Sequence, residues 1–283
     1  MPTVNDDYPK KHTDMSNEEL KAIATAQYEE TPKAYDFPTE IVQLPSKGKL
    51  YPDGHPLKDG TIEMKYMTAK EEDILTNQSF IQNGVVLDKL FQSLIMTKVD
   101  YNDLLLCDKN AIMIAARVLG YGKDYPVTVT NPNTGEQVEH TVDLTTLKDK
   151  EIDWSLIKDG TNEFKFDLPA SKRTVKLRLL TQGIQKKIDA EVKGLAKAKK
   201  EASLTTTLKY LITEIDGDDT SSVIRKFVDN ELLAIDSRAI RQFMRTVTPE
   251  VETMVDVPDG DSGDTFRTSF DVGLDLFWPD ADL

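Results

Sequence analysis

Three histidines, His12, His55 and His140, are the side chains best suited to moving a proton near neutral pH. They sit in a polar leading stretch, a turn and an expected hairpin. None has a partner at metal-ligand or triad spacing, so all three read as solvated. Pro45-Ser46-Lys47-Gly48-Lys49 has the residue types of a phosphate loop. It lacks the GxxxxGK(S/T) spacing and no helix follows, so nucleotide binding is not expected. The neighbouring carboxylates Glu71 and Glu72 fall in the first turn of an expected helix, where the macrodipole accounts for them without catalysis. Asp259-Gly260-Asp261-Ser262-Gly263-Asp264 alternates acidic residues and glycine in a way that can wrap calcium. The bidentate glutamate of an EF-hand is missing at its offset, and a solvated acidic turn is the simpler reading. The single cysteine, Cys107, follows Leu104, Leu105 and Leu106 and reads as a buried, inert thiol. It can make no internal disulfide and no cysteine-based zinc site alone.

These residues assign no catalytic, cofactor-binding or metal-binding position, and no cofactor is expected. An enzyme built on the acidic loop, such as a metal-dependent hydrolase, would lack the histidine cluster that such chemistry uses. The chain is therefore expected to be non-enzymatic.

Two features point instead to binding. Lys186, Lys187, Lys193, Lys197, Lys199 and Lys200 crowd one helical region. A solvated helix face is the default for such a run; the alternative is a dock for an acidic partner, or for the chain's own acidic tail or a neighbour's. From residue 251 the chain is rich in aspartate, with Arg267 as its only cation, yet it ends in Leu274, Leu276, Phe277, Trp278, Pro279 and Leu283. Leaving such apolar side chains in water costs about 1–3 kcal/mol each relative to burial. Either the chain's own core or a partner must cover them. The candidate partner-binding residues are Leu274, Leu276, Phe277, Trp278, Pro279, Lys193, Lys197 and Lys200. Aromatic anchors suit interface hot spots, and the flanking aspartates would steer them toward a basic site.

Length and charge limit what can position these residues. The 283 residues carry a formal net charge of −14. Such a chain repels phosphate backbones and anionic lipid, so neither nucleic acid nor membrane is expected as a partner. The first residues, MPTVNDDYPKK, have no apolar signal region, and the helical apolar run Ala111–Ala116 stops at Arg117. That is far short of the ~18 residues of a membrane span. A reducing cytoplasm is the expected compartment of synthesis.

Patterning predicts an α+β fold. Residues 1–39 read as a flexible arm, with a short helix over 17–29 capped by Ser16. A first lobe spans 40–122: strands around Ile41 to Leu44 and Thr61 to Met67, then a helix capped by Thr68 with Glu71 closing a capping box. Leu87, Leu90, Phe91, Leu94 and Ile95 form one apolar stripe of a second helix. A third runs from Asp108 to Leu119, with Gly120 as its C-cap. Residues 123–159 hold an inserted β-hairpin turning at Asn131 to Gly135, and a linker. A second lobe spans 160–250. In it Phe164, Phe166 and Leu168 face Val175, Leu177 and Leu179 across a Pro169–Lys172 turn. Helices are expected over 183–200 and 203–215; Gly217-Asp218-Asp219 breaks the chain, the apolar stretches Val223–Val228 and Leu232–Ile235 follow, and Asp236 caps a last helix. Residues 251–283 form the acidic C-terminal segment.

Four stretches, in order, resemble the baseplate hub family of T4-like contractile-tailed bacteriophages. They are Leu44-Pro45-Ser46-Lys47-Gly48-Lys49-Leu50-Tyr51-Pro52, Tyr66 to Leu75, Asp236 to Arg241 followed by Pro249, and Leu276-Phe277-Trp278-Pro279. The resemblance implies a hub structural protein in the virion tail. The alternative is a hub assembly chaperone, present in the host cytoplasm and absent from the mature particle. Implied partners are other tail and baseplate hub proteins, with tape-measure or tube-initiator proteins among them. Some members carry cysteine pairs that look like zinc ribbons in the mid-chain hairpin and near the C-terminus. Here Asn131–Gly135 and Pro258–Asp264 stand at those turns without cysteine, so the hairpins must hold by packing and turn chemistry.

Overall fold

The computed structural model describes residues 38–199, 202–259 and 264–278. The expected helix over 17–29, the centre of the 259–264 loop, Lys200 and Pro279 lie outside them.

The fold is α+β. In the first block β1 (Thr39–Gln43) pairs antiparallel with β2 (Thr61–Lys65), Val42 opposite Ile62 and Glu40 opposite Met64. Ile62 and Met64 are buried beneath the sheet. The capping box at Thr68 and Glu71 then starts α1 (Ala69–Leu75). A short α2 (Gln78–Gln82) leads into α3 (Val86–Leu94), whose apolar stripe buries Val86, Leu90, Phe91 and Leu94. The next helix, α4 (Leu106–Tyr121), continues through Gly120 and ends at Gly122 with φ of 85°. Gly122 therefore supplies the turn-off conformation expected of Gly120. Gly120 has a different role: a Cβ there would lie 2.4 Å from Met67 Sδ.

The inserted hairpin pairs β3 (Asp124–Thr130) with β4 (Gln137–Asp143). The second block opens with β5 (Phe164–Asp167) and β6 (Thr174–Leu177), followed by α5 (Gln182–Lys197) and α6 (Ser203–Leu211). The helix expected to reach 215 stops at Leu211, and Ile212–Ile215 becomes β7 on the free edge of β6. Leu208, Leu211, Ile212 and Ile215 have helical spacing, which is why periodicity alone misreads them. The exposed ladder of β6 supplies hydrogen bonds that convert the last four residues to strand. Two helices follow, α7 (Ser221–Asn230) and α8 (Ala234–Val247). A further hairpin, β8 (Met254–Pro258) with β9 (Thr265–Ser269), occupies the acidic segment before a 3-10 turn over Leu274–Phe277.

One apolar cluster draws on both blocks, from Ile62, Phe91 and Ile112 to Phe164, Val175, Phe227 and Ile240. Backbone bonds stitch the two helical starts together: Leu106 N–H donates to Leu180 O at 2.9 Å and Gln182 N–H to Leu104 O at 2.8 Å. Beside them the Asp88 carboxylate accepts from Tyr101 Oη at 3.0 Å, Lys109 Nζ at 3.2 Å and Gln182 Nε2 at 2.9 Å.

Candidate functional site

The Leu44–Pro52 segment folds as successive tight turns, and its chemistry is structural. Leu44, Ser46, Leu50 and Tyr51 are buried. Gly48 (φ 71°) and Gly60 (φ 72°) lie back to back, and a Cβ on Gly48 would sit 1.9 Å from Lys58 O. Only glycine fits that crossing. Beneath the turns lies Asp108, fully buried in the first turn of α4. Its carboxylate accepts Ser46 N–H at 2.9 Å and Tyr51 Oη–H at 2.8 Å. Burial lifts its pKa to about 6 despite those bonds. Lys47 and Lys49 lie over the Trp154 ring, 5.2 and 4.9 Å from its centroid. No phosphate cradle forms here.

Three more of the suspected chemical groups, His55, Cys107 and Glu71, are equally committed. His55 stacks on Tyr51 at 4.6 Å, and its Nδ1 accepts Leu57 N–H at 3.2 Å; burial lowers its pKa. Burial pushes the Cys107 thiol well above its ordinary range. Burial raises the Glu71 pKa, but bonds from Lys65 at 2.7 Å, Ser93 at 2.6 Å and Thr68 at 2.6 Å outweigh it and hold the group at about 2. Among the described residues no group of three or more His, Cys, Asp or Glu side chains could hold a metal ion.

Asp236 departs from its expected role. Leu233 is the residue before α8, and Asp236 lies buried inside the first turn. Its oxygens accept Ala170 N–H at 2.8 Å and Ser171 N–H at 3.0 Å. The side chain thus caps the β5–β6 turn across 66 residues instead of its own helix. Those bonds outweigh burial and hold its pKa below the usual carboxylate range.

The candidate binding residues separate into two places. Leu276 and Phe277 are buried in the chain's own core, with Leu274 and Trp278 packed at its margin. Of the two ways to cover the tail's apolar residues, self-packing applies to these two. Trp278 reaches the surface, where it lines a groove of about 540 Å³ between β3 and β9, with Asp275 on the same wall. Lys193 and Lys197 are exposed one turn apart on α5. Lys186 is held at the other end of that face, 3.2 Å from Asn102 Oδ1 and 5.3 Å from the Tyr101 ring centroid. Among the described residues no ion pair joins the acidic tail to Lys193 or Lys197; the described salt bridge of the tail is Arg267 with Glu252.

The β3–β4 and β8–β9 hairpins, where cysteine pairs are absent, clasp each other by other means. Val129, Val257 and Phe266 form a small separate core, and Asn131 Nδ2 donates to Asp259 Oδ1 at 2.7 Å. Sequence reasoning missed this bond, and it missed the partners of Asp108 and Asp236. Each joins residues more than sixty positions apart, except Tyr51 with Asp108, which are 57 apart.

No curated protein and no solved structure matches the chain. Residues 37–258, which include every strand and helix from β1 to β8, match the family described as T4 bacteriophage base plate protein. With the match covering most of its length, the chain belongs to the T4 bacteriophage base plate protein family.

Proposed function

We propose that this chain is a baseplate hub structural protein, held in the tail of the finished virion and acting through protein–protein contacts without catalysis. The observation that carries the reading is the fate of the charged and polar residues that could do chemistry. Asp108, Asp236, Glu71 and His55 are each spent on holding turns and helix starts. Lys193 and Lys197 on α5 face solvent, and Trp278 reaches the rim of its groove. An exposed lysine face on a chain of net charge −14 suits an acidic surface on another hub or tail protein, a tape-measure or tube-initiator protein among them. The same net charge opposes nucleic acid and anionic membrane as partners.

The test is capture of partners from phage-infected cells by the full chain and by two variants. Lys193→Glu with Lys197→Glu reverses the α5 face; Trp278→Ala removes the aromatic rim. Truncation before Leu274 is unsuitable, because it strips Leu276 and Phe277 from the core. The reading predicts that the lysine reversal loses at least one tail protein while circular dichroism stays unchanged. A tail-partner set unaltered by both variants contradicts it.

A further inference from the structure

Among the described residues, β1 is hydrogen-bonded on one side only. The direction of its spare backbone groups follows from its neighbours. Glu63, opposite Ile41, spends both of its own groups away from β1: its N–H donates to Thr97 Oγ1 and its carbonyl accepts Met96 N–H, each at 2.8 Å. In an antiparallel ladder the residue opposite such a position also points outward. The Leu44 N–H bond to Gly60 O at 2.8 Å fixes the same alternation. Thr39, Ile41 and Gln43 therefore turn N–H and C=O toward the outer edge, and among the described residues no backbone bond outside the ladder reaches them. Ile41 is 59% exposed in the middle of that edge.

The edge overlooks a groove of about 620 Å³. Ile114 and Val118 of α4 and Leu144 and Leu147 after β4 form its apolar floor. Its charged lining residues are Glu40 and Asp149, and no lysine or arginine lines it among the described residues. Glu40 and Val42 share the sheet face that buries Met64 and Ile62. An added strand would place one side chain beside Val42, over the floor, and another beside Glu40, at the acidic rim.

We propose that the β1 edge and the groove beside it take up an extended segment of another tail protein as a third strand, with an apolar residue beside Val42 and a lysine or arginine beside Glu40, two positions apart. The charges choose the occupant. A second copy would bring its own Glu40 to a rim that already holds Glu40 and Asp149, between two chains of net charge −14. A basic and apolar strand meets no such repulsion. The identity of the partner as a tail protein rests on the hub reading above; the strand chemistry does not.

The experiment places a photo-cross-linking amino acid at Gln43 of the full chain in phage-infected cells and maps the product by mass spectrometry. A synthetic peptide of the mapped segment is then titrated against the chain and against Ile41→Pro and Glu40→Lys. Ile41→Pro deletes an outward N–H without touching the β1–β2 bonds, and Glu40→Lys leaves the backbone whole. The expected result is a segment with the apolar and basic pair two apart, whose peptide binds at least tenfold more weakly to each variant. Cross-links to a second copy, to the same chain or to nothing overturn the proposal, as does peptide binding that survives Ile41→Pro. A mapped strand of that pattern from a protein outside the tail keeps the groove and sinks the hub reading. A tail partner held equally by Ile41→Pro does the reverse.

Discussion

The Tyr51 hydroxyl donates to Asp108 Oδ2 at 2.8 Å and accepts the Leu105 N–H at 3.1 Å. One phenol thus closes the Leu44–Pro52 turns onto the first turn of α4. Tyr51→Phe removes the donor from a buried carboxylate and the acceptor from a backbone N–H. A loss of roughly 2–4 kcal/mol in urea unfolding is expected, because both partners stay buried.

The same carboxylate gives the chain an unusual pH response. Asp108 has its pKa raised from 3.8 to about 6 by burial, so the folded chain holds a proton there that the unfolded chain releases. Its contribution is largest below pH 3.8, falls as pH rises through that window, and is flat above about 6. Glu71 behaves oppositely: its pKa is lowered from 4.5 to about 2, so its contribution is present above 4.5 and lost as pH falls. Urea midpoints against pH separate the two. Asp108→Asn should flatten the curve between roughly pH 4 and 6, a span worth about 3 kcal/mol. Glu71→Gln should flatten only the limb below. An Asp108→Asn curve parallel to the parent from pH 4 to 6 would refute the assignment.

Glycine substitutions distinguish crowding from conformation. Gly48→Ala and Gly60→Ala place a methyl group 1.9 Å from Lys58 O and 2.6 Å from the Lys47 carbonyl carbon. Gly54 also has positive φ but opens to empty space. Gly54→Ala should cost about 1–2 kcal/mol from handedness alone. The other two should cost clearly more, with a soluble yield low enough to report it first.

Asp236→Ala leaves the Ala170 and Ser171 N–H groups without their acceptor. Roughly 2–4 kcal/mol of stability should be lost. Hydrogen exchange should report faster opening of the β5–β6 turn, and an effect confined to the start of α8 would count against the clamp.

The hairpin pair should loosen locally. Phe266→Ala removes a wall of the Val129, Val257 and Phe266 cluster. Amide exchange over 124–143 and 254–269 should quicken while the main unfolding midpoint moves little, and a zinc chelator should change neither. Global destabilisation comparable to a core truncation would show that the pair is not a separate unit.

Local pattern made much of this fold legible. The α3 stripe, the Thr68–Glu71 box and the Asn131–Gly135 turn each carry their signal within a few residues, and each forms as expected. Periodicity failed at Ile212–Ile215, where helical spacing is overridden by the free edge of β6. It failed again at Asp236, whose acceptors serve a turn 65 residues away. Residue types alone named Phe277 and Trp278 as a pair, yet only the packing separates the first as core from the second as rim. The β1 edge was invisible for the same reason: an unpaired strand face depends on what fails to approach it.

The central claim is residence in the baseplate hub of the finished particle. Quantitative mass spectrometry of purified virions, set beside infected-cell lysate, tests it most directly. The account predicts the chain in the virion at a fixed small-integer ratio to other baseplate proteins. Abundance in the lysate with none in the particle would contradict it and make the chain an assembly chaperone.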